Sequence, residues 1–183
     1  MLAKLTNWKT VIVLIVLILP FNVFIFPARS AKLRELAGKN VPTLDVMFAY
    51  TPTQVYDVIS DYGEQGRQHH AVTELTADLV YPILYSVLLS LLMTLIFRRA
   101  FATASFMQKL WLLPFAAALT DYAENISIVG MLLRYPQKLT GVAWAASLFT
   151  TAKWVLVAVS FILIVVGLVA LIIKRVTLEK GAK

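Results

Sequence analysis

The sequence predicts an all-α polytopic membrane protein: a four-transmembrane-helix bundle with a short helical external insertion between the first and second spans. Three observations predict it. Of 183 residues, 60% are hydrophobic and 15% charged, more apolar surface than one small water-soluble core can bury. The apolar residues gather into segments near spanning length, at about 11–26, 78–97, 107–133 and 142–173, and these run uniformly apolar where barrel strands would alternate. The cations collect at segment edges, with Lys4 and Lys9 before the first, Arg98, Arg99 and Lys109 between the second and third, and Lys174, Arg175, Lys180 and Lys183 after the last. Cationic loops stay on the cytoplasmic side, so both termini are expected there, with residues 27–77 outside. The chain, 1–183, reads as a single integral membrane domain.

In the first segment, Lys4 and Lys9 precede an apolar run punctuated by Pro20 and Pro27. Ala28-Arg29-Ser30 loosely resembles a signal-peptide cleavage site, but the length of the run and its prolines favour a retained anchor.

The insertion carries its own helix signals. Ser30 can cap a short helix through Leu36 that Gly38 would end, and Thr51-Pro52-Thr53-Gln54 has the form of a capping box with proline at the first helical position. Val55, Tyr56, Ile59 and Tyr62 then recur at helical spacing, with Gln54, Asp57 and Asp61 on the other face, so this helix should lie on the membrane surface or lid the bundle. From Glu64 the helical pattern runs without strong breakers into the second span, aligning Glu64, Arg67, Glu74, Asp78, Pro82 and Tyr85 in one broad stripe. Pro82 has no amide to give the Asp78 carbonyl, and Pro114 has none for that of Leu110.

The third and fourth spans are joined by Tyr135-Pro136-Gln137-Lys138, too short for anything but an antiparallel hairpin. Depth can be counted from Gln137: Asp121 lies sixteen residues before it and Lys153 sixteen after, so the two share a level, and Glu124 pairs with Thr150. Counting around the Arg98 to Lys109 connection brings Tyr85 and Pro82 to the same depth, with Asp78 about one turn further out. Residues 153–173 already match about a hydrocarbon thickness at roughly 1.5 Å per residue, so the cluster belongs in the outer half of the bilayer.

Asp121, Glu124 and Asn125 stand in the middle of an apolar stretch. An acid at a helix centre costs roughly 2.5–3.5 kcal/mol on the insertion scale, so two of them one turn apart require a partner, a proton or an aqueous chamber. A structural ion pair with Lys153 is the plain reading. One lysine cannot neutralise Asp78, Asp121 and Glu124 together, however, and the excess acid points to an outward-opening intramembrane acidic pocket. In that reading Asp121, Glu124 and Asp78 are the catalytic candidates, one carboxyl group acting as acid and another as base on a lipid-like amphiphile. The ligand-binding candidates are Asn125, Tyr81 and Tyr85 as orienting donors, Lys153 as counter-ion, Arg67 as headgroup contact, and His70 as proton shuttle or headgroup contact. No cofactor is evident. The oxygen donors of Asp78, Asp121, Glu124 and Asn125 suit a hard divalent cation such as Mg²⁺ or Ca²⁺, but their spacing matches no metal signature and names no ion.

Without cysteine, disulfides, thiolate catalysis and Cys-ligated zinc are excluded. The net charge of +7 sits at membrane edges, not along an aromatic-interleaved stripe, so the expected partners are membrane lipids and an amphiphilic ligand, not nucleic acid. Small residues in the last span (Ala143, Ala146, Thr150, Ala158, Gly167) suit close helix approach, within one chain or in a homo-oligomer. Two other function classes compete with the amphiphile pocket: a proton- or cation-coupled transporter or channel subunit, and an assembly protein whose buried charges are only an ion pair.

Overall fold

The computed structural model describes residues 6–181, with side chains through Thr177. Lys4 and Lys183, and the side chain of Lys180, on which the charge asymmetry partly rests, lie outside that description. Every regular element among the described residues is helical.

Helix α1 (Trp8–Pro20) starts at Asn7, whose side chain accepts the Thr10 N–H at 3.0 Å. It does not stop at Pro20. A π-helical turn, Phe21–Ile25, carries it directly into α2 (Phe26–Ala37), making one rod from Trp8 to Ala37. The separate helix expected to be capped by Ser30 therefore does not exist; the helix of the first apolar segment continues beyond 26 into polar sequence. Each proline withholds a single N–H, and between them the helix continues through the wide turn, where Asn22 Nδ2 donates to the Ile18 carbonyl at 3.2 Å. Gly38 ends α2 as expected, at a φ of 66° that suits glycine.

Helix α3 (Pro52–Asp61) shows the reciprocal capping box of Thr51 and Gln54. Its apolar face, Val55, Tyr56, Ile59 and the following Tyr62, is fully buried, while Gln54, Asp57 and Asp61 are exposed. The face seats on the α6–α7 end of the bundle: the Tyr56 hydroxyl accepts the Leu139 N–H at 2.5 Å, and Tyr62 donates to the Pro42 carbonyl at 2.7 Å. Gly63, at a φ of 63°, then turns the chain into α4 (Gly63–Glu74).

The helix expected to run unbroken from Glu64 into the second span is interrupted at Leu75–Thr76, before α5 (Ala77–Ala100). Thr76 sits at φ −125°, ψ −76°, outside the helical region. The hydroxyls of Thr73 and Thr76 donate to the carbonyls of His69 and Val72, a local alternative that competes with regular helix bonding. Across the break Glu74, Asp78, Pro82 and Tyr85 remain buried or half-buried, Glu64 is exposed, and Arg67 stacks over the Tyr135 ring at 4.2 Å.

A 3₁₀ segment, Phe106–Leu112, leads into α6 (Leu113–Arg134), which begins later than the expected 107. Pro114 opens this helix instead of kinking it, and the Leu110 carbonyl takes the Leu113 N–H. Helix α7 (Thr140–Gly181) packs antiparallel on α6 and continues past the expected end at 173. Among the described residues three helical stretches are long and apolar enough to cross a membrane, 8–37, 63–100 (α4 and α5 taken together across the Leu75–Thr76 turn) and 140–177; α6, with its acids, is not among them.

The bundle is apolar outside and polar inside. On α6, Leu119, Ile126 and Leu133 face outward while Asp121, Glu124 and Asn125 are buried. On α7, Phe161, Val165 and Ile172 face outward, with Thr150, Lys153 and Ser160 within. This arrangement suits lipid surroundings and would be unfavourable in water. Two apolar cores bracket the polar interior. At one end Leu33 of α2, Leu44 of the 38–51 segment, Ile59 of α3, Ile128 of α6 and Ala146 of α7 share one core, with α2 packed on α4 and α4 on α6. At the other, Met93, Ile96 and Phe97 of α5 meet Ile164 of α7. There a Cβ on Gly167 would stand 2.6 Å from Ile96 and 2.8 Å from Phe97, so glycine permits the contact. Ala143 and Ala146 are likewise buried against neighbours, whereas Ala158 is exposed.

Candidate functional site

Antiparallel packing of α6 on α7 brings the levels counted from Gln137 together. Lys153 Nζ lies 2.5 Å from Glu124 Oε2 and 3.7 Å from Asp121 Oδ1. Thr150 Oγ1 lies 2.7 Å from Glu124 Oε1 and 2.9 Å from the Ala146 carbonyl, between which its single proton is shared. Glu124 is 0% exposed, Asp121 6% and Lys153 7%, so the cluster lies inside the bundle, not in the surrounding medium.

Helix α5 completes it. Tyr85 donates to Asp121 Oδ2 at 3.0 Å, and Tyr81 to Asn22 Oδ1 at 3.1 Å. Pro82 leaves the Asp78 carbonyl without its helical donor, and Asn125 Nδ2 donates to that oxygen at 3.0 Å. Asn125 thus clamps α6 to α5, with Tyr122 donating to the Leu79 carbonyl at 2.8 Å beside it.

The two acids of α6 have different positions. A cavity of about 570 Å³ is lined by Asp78, Asp121, Tyr81, Tyr85 and Lys153, but Glu124 and Asn125 stand behind its wall. Glu124 holds the lysine, while Asp78 and Asp121 face the space. Among the sequence candidates, His70 also lines the cavity and Arg67 does not. The second cation on the lining is Arg29 of α2, which the sequence reading did not select. His69, another lining residue, has Nε2 3.0 Å from the Arg29 carbonyl, joining α4 to α2.

A further wall comes from a segment without regular periodicity. The 3₁₀ turn Leu44–Val46 carries Asp45, whose carbonyl accepts Lys153 Nζ at 3.3 Å and Trp154 Nε1 at 3.0 Å. This turn closes the cavity from the α2–α4 side and brings the Asp45 carboxylate next to His70 and Glu74. Neither Asp45 nor Glu74 was selected from sequence; the one available signal was the i, i+4 spacing of His70 and Glu74 on a helix.

The opposite wall is apolar. Ile18 of α1, Leu88 of α5, and Val157 and Phe161 of α7 line the cavity where α1, which leans mainly on α5, leaves space before α7. The fold and site together define a helical bundle, with helices long and apolar enough to cross a membrane, around a partly open chamber that has charged and apolar walls. No known protein family, curated protein or solved structure matches this chain.

Proposed function

We propose that this chain is a four-span integral membrane protein with cytoplasmic termini, whose chamber receives a lipid-like amphiphile from the side. In this reading α6 is the fourth span, sheltered by α5 and α7 on its acidic face and apolar toward lipid, and α2–α4 cap the outer end. The positions of Arg98, Arg99 and Lys174 at the opposite end support the orientation, since Lys174 Nζ there donates to the Arg99 carbonyl at 3.0 Å.

The observation that carries the proposal is the two-part lining of one cavity. Its volume, about 570 Å³, lies in the range of small-molecule sites. An acyl or isoprenoid-like tail fits between α1 and α7 against Ile18, Val157 and Phe161, leaving its polar head among Arg29, Lys153, Asp78 and Asp121. Lys153 is held more closely by Glu124 than by Asp121, so Asp121, oriented by Tyr85, presents a cavity-facing carboxylate for proton exchange, and Asp78 stands as the second carboxyl of an acid/base pair.

The experiment is purification in mild detergent and native mass spectrometry for a co-purifying lipid, repeated on Asp121→Asn and Phe161→Trp. A bound amphiphile lost in both variants, with the fold intact, supports the proposal. Amphiphile retained in Asp121→Asn, together with a fold lost in Lys153→Met and rescued by adding Glu124→Gln, would instead leave only a structural ion pair. Proteoliposome flux that follows a pH gradient would overturn it in favour of a transporter.

A further inference from the structure

At the outer end of the chamber, three side chains from two separate segments converge. Asp45 comes from the 3₁₀ turn, and His70 and Glu74 sit one turn apart on α4; one ligand atom from each lies within 4.8 Å of the other two. Asp45 meets the Asp121, Glu124 and Lys153 cluster through its backbone carbonyl, which accepts Lys153 Nζ, and its carboxylate is turned to His70 and Glu74 instead.

Glu74 is the unexplained member. Its side chain is 0% exposed and neither carboxylate oxygen has a hydrogen-bond partner. His70 Nε2 lies 3.4 Å from Glu74 Oε1, but the same nitrogen faces the Leu44 N–H at 3.4 Å and is therefore placed as an acceptor. The Tyr62 ring packs edge-on against the His70 imidazole, holding its orientation, and the Tyr62 hydroxyl is committed to Pro42. A buried carboxylate with two idle oxygens, beside an imidazole lone pair, is the arrangement a cation would satisfy.

We propose that Asp45, His70 and Glu74 form a site for a divalent transition-metal ion of the zinc class. Two carboxylates balance a dication, and the imidazole nitrogen favours Zn²⁺ and its first-row neighbours over Mg²⁺ or Ca²⁺, which prefer oxygen alone. Three protein ligands leave a coordination position open. Because Asp45 and His70 line the cavity and Glu74 lies behind them, that position faces the chamber, where a water or an anionic headgroup oxygen would complete the shell. A metal on Nε2 would displace the Leu44 N–H, a contact already long at 3.4 Å.

The test uses the full-length protein, purified without a metal-affinity step, stripped with chelator and dialysed. Zn²⁺ titration with elemental analysis should give one equivalent bound, and Co²⁺ should produce the visible absorption of a low-coordinate site. Glu74→Gln keeps the buried shape, and Asp45→Asn alters a residue on the cavity wall. Both should stay folded and lose Zn²⁺ affinity by more than the roughly 10–100-fold typical of removing an outer-shell partner. Absence of stoichiometric Zn²⁺ in the wild type would overturn the site, as would Glu74→Gln binding as tightly as the wild type, or Ca²⁺ binding in preference to Zn²⁺. The inference is independent of the amphiphile reading: lipid that co-purifies without metal overturns this site alone, and metal without lipid supports it while removing the other.

Discussion

Lys153 of α7 reaches Glu124 and Asp121 of α6 together, at 2.5 Å and 3.7 Å, so one ammonium serves two acids a single helical turn apart. Removing only the lysine strands both carboxylates inside the bundle. Lys153→Met is expected to destabilise by about 3–5 kcal/mol, the usual cost of breaking a buried pair from one side. The combination with Glu124→Gln should recover much of that loss, and denaturation in detergent micelles, run as a double-mutant cycle, measures the recovery.

Asn125 and Pro82 are coupled through the Asp78 carbonyl, which the proline leaves free and the asparagine satisfies at 3.0 Å. Asn125→Ala should cost on the order of 1–3 kcal/mol by stranding that oxygen. In a Pro82→Ala background the helix supplies its own N–H, and the same change should cost measurably less. Equal costs in the two backgrounds would mean that the carbonyl is not the link.

Gly167 and Gly130 give a matched pair of substitutions to alanine. A Cβ at Gly167 meets Ile96 and Phe97 at 2.6–2.8 Å, and the expected loss is about 1–3 kcal/mol from overpacking. Nothing lies within 4 Å of a Cβ at Gly130, where alanine should be neutral or gain up to about 1 kcal/mol of helix propensity. Thermal unfolding of the two variants side by side checks the α5–α7 contact.

Tyr62 lies outside the stretches that are long and apolar enough to cross a membrane, and burial raises the pKa of its phenol above the ordinary value of 10.0. The unfolded chain therefore releases this proton first as pH rises. Stability from Tyr62 is complete below about pH 10 and erodes above it. Tyr62→Phe should lower stability at neutral pH by about 0.5–1.5 kcal/mol through the lost bond to the Pro42 carbonyl, while flattening the alkaline decline. Denaturation midpoints across the alkaline range, compared between the two proteins, read both effects.

Tyr85→Phe removes the hydroxyl that donates to Asp121 at 3.0 Å and leaves the ring in place. On the chamber reading, a co-purifying amphiphile should be retained with weaker affinity while unfolding changes by about 1.5–3 kcal/mol at most, the scale of a hydrogen bond to a charged group. Unchanged ligand affinity would remove Tyr85 from the site.

Local chemistry written in the chain determined its helical character, the capping box of Thr51 and Gln54, the end of α2 at Gly38, and the hairpin depth that sets Lys153 against Asp121 and Thr150 against Glu124. Helical period, cap geometry and a short turn act over a few residues, so they can be read without knowing the rest of the fold. Tertiary structure alone decided that Arg29 lines the chamber while Arg67 stacks on Tyr135; the single rod through Pro20 and Pro27 and the break at Thr76 involve local bonds that helical period does not announce. Tertiary structure also decided the meeting of Asp45 with His70 and Glu74. The 38–51 segment has no period to announce which face it presents; its place follows from long-range contacts, the Asp45 carbonyl on Lys153 and Trp154 and the Tyr62 hydroxyl on Pro42, which exist only once the helices have packed.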